Sequence, residues 1–226
     1  MRKSEVLVLA IILASFILSA YIYPQLPDTL ASHWNASGNV NGYMPKIFAL
    51  FIMPAVSLVL FLLFVAIPRV DPLKQNIAQF RKYFDGFVVL IVLFLLYVHA
   101  FTILWNLGYT FDIIQVLVPA FAVLFFYLGI LLENSKRNWF IGIRTPWTMS
   151  SDRVWESTHK TAGKLFKIFA VVSLAGFFAG FYTFFIILGL MFAVVIYSVV
   201  FSYFEYMKEK RPHRPARRQP RKRARK

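Results

Sequence analysis

The chain carries six apolar runs of membrane-crossing length, and this constrains its fold more than anything else in it. Val6–Tyr23 holds 18 residues and Ile47–Ile67 holds 21, neither with a charge. A helix needs about 20 to cross the hydrocarbon core of a bilayer. Four more runs follow at Gly86–Gly108, Asp112–Leu132, Leu165–Tyr182 and Phe184–Phe204. Only 15% of residues are charged and 59% are hydrophobic, with 25 phenylalanines. Soluble domains carry about 25% charged residues, so the solvent for most of this chain is lipid. Val6–Tyr23 exceeds the 7–15 residues of a signal-peptide core and no A-x-A site follows, so it reads as a retained first helix. The absence of cysteine excludes disulfides, thiol nucleophiles and thiolate metal sites.

The basic residues between the runs alternate. Arg2 and Lys3 precede the first run, and only Lys46 stands in the first loop. The second loop has Arg69, Lys74, Arg81 and Lys82, and the third has none. The fourth has Lys136, Arg137, Arg144, Arg153, Lys160 and Lys164, the fifth none, and the stretch from Tyr206 onward has eleven. By the positive-inside rule both termini are cytoplasmic. The expected fold is all-α: a polytopic membrane bundle of six transmembrane helices over residues 1–205, with a disordered basic tail over 206–226. An outer loop (24–46) and a cytoplasmic loop (133–164) complete it. Between the second and third runs, Ile77, Phe80 and Phe84 share one face, predicting an amphipathic helix on the membrane surface. Gly176 and Gly180 form a G-x-x-x-G that suits close helix approach. Most of the +15 net charge, about +10, is gathered in the tail, where proline and like charge favour disorder, and anionic lipid or, secondarily, nucleic acid is its implied contact.

The longest polar and aromatic stretch, Asn138–Gly163, reads NWFIGIRTPWTMSSDRVWESTHKTAG and holds three of the five tryptophans. Pro146 disfavours helix at Thr145, so Arg144–Trp147 reads as an extended hairpin or turn. Ser150-Ser151-Asp152 then reads as a capped helix start. Beyond it Trp155, Thr158, His159 and Ala162 lie three and four apart, on one helical face.

Three groups of residues carry the candidate chemistry. In the outer loop stand His33, Trp34, Asn35, Gly38 and Gly42. His33 lacks companion ligands for a metal and reads as a packing or hydrogen-bonding group. Within the runs, His99, Asn106 and Gln115 are polar groups in hydrocarbon. They either line a path for a transported small molecule or lipid, or hydrogen-bond between helices. In the cytoplasmic stretch, Asn138, Gly142, Arg144, Thr145, Pro146, Trp147, Trp155, Thr158, His159 and Gly163 suit a structural plug, a partner-docking loop, or both. Ser150, Ser151, Asp152, Thr158 and His159 have the residue types of a hydrolytic triad. However, Thr158 and His159 are adjacent on a helix and point about 100° apart, and no nucleophile, metal or phosphate motif occurs. The chain therefore reads as a non-enzyme without a cofactor.

The pattern N-x-x-x-G-I-R-T-P-W-T, then V-W, then T-H-K-x-x-G, resembles the signature loop of the SdpI family, multi-pass membrane proteins of prokaryotic plasma membranes. The segment L-P-x-x-L-x-x-H-W-N-x-x-G-x-x-x-G-Y is similar to a domain of unknown function often found near the N-terminus of that family. The resemblance implies immunity to a membrane-active peptide toxin engaged at the outer face, with His33, Trp34, Asn35, Gly38 and Gly42 of the outer loop sensing it. It also implies signalling, by holding a cytoplasmic repressor at the inner face. The basic tail falls outside the resemblance.

Overall fold

The computed structural model describes residues 2–210, so the tail over 211–226 lies outside the described residues. Six of its helices are long and apolar enough to cross a membrane. The elements in order are α1 (Lys3–Ile22), β1 (Thr29–Trp34), β2 (Val40–Pro45), α2 (Lys46–Val70), α3 (Lys74–Gln79), α4 (Arg81–Asn106), α5 (Ile113–Asn134), α6 (Pro146–Ser150), α7 (Asp152–Ser173) and α8 (Thr183–Lys210). Hydrocarbon offers the backbone no hydrogen bonds, so these runs form helices that satisfy their own. Asp112 starts α5 by accepting from the backbone N–H groups of Ile114 (2.9 Å) and Gln115 (3.3 Å). α8 runs to Lys210, so the first five residues assigned to the tail are helical.

α1, α2 and α4 pack together, as do α5, α7 and α8, and α4 joins the two groups through α5. Phe80 and Phe84 sit in a core cluster with Val8, Ile12, Phe61, Val88 and Leu131, and Ile77 is buried with them. This corrects the expectation of a surface-lying amphipathic helix. The shared face of Ile77, Phe80 and Phe84 is real, but it closes one end of the bundle, and the third span starts at Arg81. The G-x-x-x-G expectation is also corrected. Gly176 and Gly180 lie in the 3₁₀ turns (Leu174–Phe178 and Gly180–Tyr182) between α7 and α8, and a methyl added at Gly180 would meet nothing within 4 Å. The close helix approach occurs between α5 and α7 at Gly129 and Gly163. There, a β-carbon on either glycine would stand 2.6 Å from the other's carbonyl oxygen.

The 24–46 loop contains a β-hairpin that the sequence reading did not resolve, β1 pairing antiparallel with β2. Asn35 makes its turn: the side-chain oxygen accepts from Ser37 N (2.9 Å) and Asn39 N (3.0 Å), and Gly38 adopts φ 76°. Leu30 anchors the hairpin in a cluster with Ile22, Leu26, Ala49, Leu50 and Ile103. The opposite end of the bundle gathers the start of α1, the α2–α4 link, the 135–151 segment and the end of α8. Arg2 meets Asp85, Asp71 meets Trp139, and Ser151 meets Glu209.

Pro54 shows how such helices tolerate a break. Proline cannot bond the carbonyl four residues back, which here belongs to Leu50. The Ser19 hydroxyl of α1 donates to that oxygen at 2.7 Å, and His99 Nε2 of α4 lies 2.8 Å from the same hydroxyl. Ser19→Ala therefore leaves a buried carbonyl and a buried imidazole without this partner, at about 1–3 kcal/mol. Pro54→Ala restores the helical donor to Leu50. The two substitutions are expected to couple favourably by roughly 1 kcal/mol in a double-mutant cycle read from thermal melting. Additive effects would refute this account of the Pro54 site.

Candidate functional site

The 135–163 segment is built around buried polar groups that hold an otherwise irregular loop. Asn138 is fully buried and uses both ends of its amide. Its nitrogen donates to Lys136 O (2.8 Å) and Ile141 O (2.9 Å), and its oxygen accepts from Phe140 N (2.9 Å) and Ile141 N (2.6 Å). The α2–α3 link fastens the loop from the other side. Buried Asp71 accepts from Trp139 N at 2.9 Å, and Asn76 donates to Arg137 O at 2.8 Å. Arg137 donates to Met149 O at 2.8 Å and pairs with Asp152 at 2.9 Å. No extended hairpin forms before the helix. Thr145 is extended (φ −104°, ψ 162°), and Pro146 opens α6, where its missing N–H costs nothing. Thr145 and Thr148 cap each other reciprocally, with Thr145 N donating to Thr148 Oγ1 at 2.9 Å. Thr145 also meets Ser202 of α8 at 3.1 Å, while Trp147 packs edge-on to Tyr203 at 5.2 Å.

α7 starts where the sequence places it, with Ser151 accepting from Val154 N at 3.3 Å. It continues without interruption into the fifth span, so the end of the 133–164 loop and the membrane helix are one rod. Trp155, Thr158, His159 and Ala162 form its buried face. The Trp155 indole donates to Ser135 O at 3.1 Å and stacks on the His159 ring at 3.9 Å. Ile143 N donates to His159 Nε2 at 2.9 Å, which makes that nitrogen the acceptor; Nδ1 then carries the proton and donates to Trp155 O at 2.8 Å. Both imidazole nitrogens are thus engaged with backbone. Gly142 lies over the ring with φ 115°. Thr158 is fully buried, and its hydroxyl has no hydrogen-bond partner among the described residues. Gly163 makes the close contact with α5, beside the Glu133–Lys167 ion pair at 2.8 Å.

The residue types of a triad are not brought together. Ser151 caps α7 and donates to Glu209 at 2.7 Å, Asp152 pairs with Arg137, and His159 is bonded to Trp155 and Ile143. What the loop presents outward is Trp139 (52% exposed), Phe140 (42%), Arg144 and Pro146. Arg144 donates to Trp139 O, tying the exposed residues to each other.

At the hairpin end, His33 faces Gly42 across the strands and its Nδ1 lies 2.6 Å from Asn41 Oδ1. A side chain at Gly42 would meet the His33 β-carbon at 2.9 Å. Trp34 packs edge-on to Trp105 at 6.0 Å. Gly38 lies against Asp112. Asn106 clamps β1 to α4, accepting from Ala31 N at 2.8 Å and donating to Ala31 O at 3.0 Å. His99 serves the Ser19–Leu50 junction, and Gln115 contributes a backbone N–H to the Asp112 cap. His99 and Asn106 therefore bond between elements. None of His99, Asn106 and Gln115 lines the cavity of about 570 Å³ beneath the hairpin.

Sequence reasoning missed Asp71, Asn76, Thr148, Ser202 and Gly129. A lone acid followed by proline at 71–72 was an available signal for the first. Thr148 caps Thr145 three residues before it, whereas Asn76, Ser202 and Gly129 join elements far apart in the chain and carry no local mark.

Six membrane-length helices, a hairpin at one end and a hydrogen-bonded loop at the other define a polytopic helical membrane protein. Comparison with known proteins agrees region by region. Residues 134–202 match the SdpI/YfhL protein family, and residues 10–58 match a domain of unknown function, DUF1648. A curated relative, the immunity protein SdpI of Bacillus subtilis (strain 168), is 27% identical over 208 residues, covering 91% of this chain and 97% of the relative. No solved structure matches the chain. The protein is an SdpI-like multi-pass protein of the cell membrane.

Proposed function

We propose that this protein confers resistance to a membrane-active peptide toxin at its hairpin end and reports the encounter to a cytoplasmic protein, a repressor by analogy, through the 138–163 loop. The observation that carries the reading is the likeness to an immunity protein over nearly the full length of both chains. The structure supports the division of labour. α4 and α5 run from the hairpin end to the loop end, and the loop is locked from within while offering exposed Trp139, Phe140 and Arg144. Tryptophan and arginine dominate binding hot spots. The mode of action is binding rather than catalysis, supported by a His159 whose two nitrogens are both bonded to backbone. A transporter reading needs a polar path, and His99 and Asn106 are instead used in bonds between elements.

The test is survival of a sensitive host under peptide challenge. Wild type is expected to protect. Trp139→Ala and Arg144→Ala, made to equal membrane levels, are expected to melt within about 0.5 kcal/mol of wild type, as surface changes do, yet to abolish the induced reporter response. Full signalling by both variants would remove the loop from the proposed role, and no protection by wild type would remove the immunity reading.

A further inference from the structure

A cleft of about 430 Å³ opens at the loop end of the bundle, lined by Arg2 at the start of α1, Glu5 of α1, Val65, Pro68 and Arg69 of α2, and Arg81 of α4. Three arginines thus converge where three membrane-length helices end. Two acids hold their like charges in place. Asp85 accepts from Arg81 Nε at 2.8 Å and pairs with Arg2 Nε at 3.5 Å. Glu5 accepts from Arg2 Nη2 at 2.7 Å and from the Arg2 backbone N–H at 2.9 Å. Arg69 bends back along α2, its Nη1 donating to Val65 O at 2.6 Å. Three arginines against Glu5 and Asp85 leave the site one positive charge.

These bonds fix the guanidinium groups and leave donors over, because each group is a planar fork of several N–H bonds. Neither terminal nitrogen of Arg81 has a hydrogen-bond partner among the described residues, and neither has Nη1 of Arg2 or Nη2 of Arg69. Of the guanidinium nitrogens of Arg2 and Arg81, only Arg2 Nε is closed to solvent without a hydrogen bond, so the free fork ends are accessible. The acids have no such surplus. Both oxygens of Glu5 are taken by Arg2, and those of Asp85 by Arg81, Ser4 and Arg2. The chemistry suits an anion and gives an ammonium no uncommitted carboxylate oxygen. The surroundings select the anion's source. Val65 and Pro68 give the cleft an apolar wall, and next to Glu5 and Val65 the two helices expose Val6 and Leu7 of α1 and Leu62 and Leu63 of α2. Exposed apolar side chains on membrane-length helices face hydrocarbon. A ligand that joins one phosphate to hydrocarbon matches both parts.

We propose that this cleft binds the phosphodiester of one anionic phospholipid, with Arg2, Arg69 and Arg81 donating to its oxygens and the acyl chains lying along α1 and α2. The arginine fork matches phosphate geometry, and one phosphodiester charge matches the one positive charge of the site. This inference stands whether or not the protein confers immunity.

Native mass spectrometry of the full chain, released from nanodiscs of equal phosphatidylglycerol and phosphatidylethanolamine, tests it. The last lipid that wild type retains is expected to be phosphatidylglycerol. Arg69→Gln is expected to lower that retention roughly tenfold, the scale of one charge-assisted hydrogen bond. Arg69→Lys keeps the charge without the fork, and a loss of about threefold is expected. Lys82 is exposed at the same end and does not line the cleft, so Lys82→Gln should change retention by less than about twofold. Thermal melting checks that each variant folds, and should Arg69→Gln fail, Arg69→Lys decides. Equal retention of the two lipids by wild type overturns the proposal. So do equal losses in Arg69→Gln and Lys82→Gln, because unspecific surface charge then accounts for the binding. Displacement of the lipid by inorganic phosphate overturns the lipid source and assigns the cleft to a free phosphate.

Discussion

Gly142→Ala is expected to unlock the loop over α7. At φ 115° a side chain is strained wherever it is placed. Here the added methyl would also overlap His159 Nε2 and stand 3.3 Å from Trp155 Cη2. The imidazole cannot retreat freely, because Nε2 accepts from Ile143 N and Nδ1 donates to Trp155 O. Displacing it leaves a buried amide unpaired and breaks the stack on Trp155. Strain, overpacking and the lost bond together predict destabilisation of about 3 kcal/mol or more. Gly180→Ala is the control, since Gly180 also has positive φ (53°) but open space around its Cα. It should lose only the strain. Melting curves that place the two variants together would show that the ring contact contributes nothing.

The second large effect is expected at the α5–α7 contact. A β-carbon at Gly163 would stand 2.6 Å from Gly129 O and 3.2 Å from Glu133 N, and would overlap Glu133 Cγ. The side chain can move; the two backbone atoms belong to a rigid helix. Gly163→Ala must therefore part the helices, weaken the Glu133–Lys167 pair and loosen the cluster of Leu132, Ala162, Phe166 and Phe169. Overpacking of this kind costs about 1–3 kcal/mol. The cost should appear as a lower melting temperature of the detergent-solubilised protein. Gly189→Ala, in α8 with nothing within 4 Å, should be neutral or slightly stabilising. Equal melting of the two variants would mean that the bundle can relax at the α5–α7 contact.

Local chemistry made much of this protein legible from its sequence. Six apolar runs require six membrane-length helices because lipid leaves the backbone no other partner. Ser151 before Asp152 marks the start of α7, and the spacing of Trp155, Thr158, His159 and Ala162 marks its buried face. Both follow from rules acting within a few residues. The motif residues of the 138–163 loop were visible as types, and their resemblance to the SdpI family was visible with them.

What the tertiary structure alone decided is where each of those groups finds its partner. The face shared by Ile77, Phe80 and Phe84 fits a membrane surface or a bundle end equally well by periodicity, and packing against α1 and α2 selected the second. G-x-x-x-G at Gly176 became a turn, while the helix contact formed at Gly129 and Gly163, glycines that only the fold brings together. His99 reads as a polar oddity until Pro54 frees the Leu50 carbonyl and Ser19 reaches it from another helix. His159 has the residue type of a general base, and two backbone bonds turn it into a strut. Sequence determines which groups need a partner and which surfaces need burial. The choice among partners belongs to contacts between residues far apart in the chain, which no local pattern records.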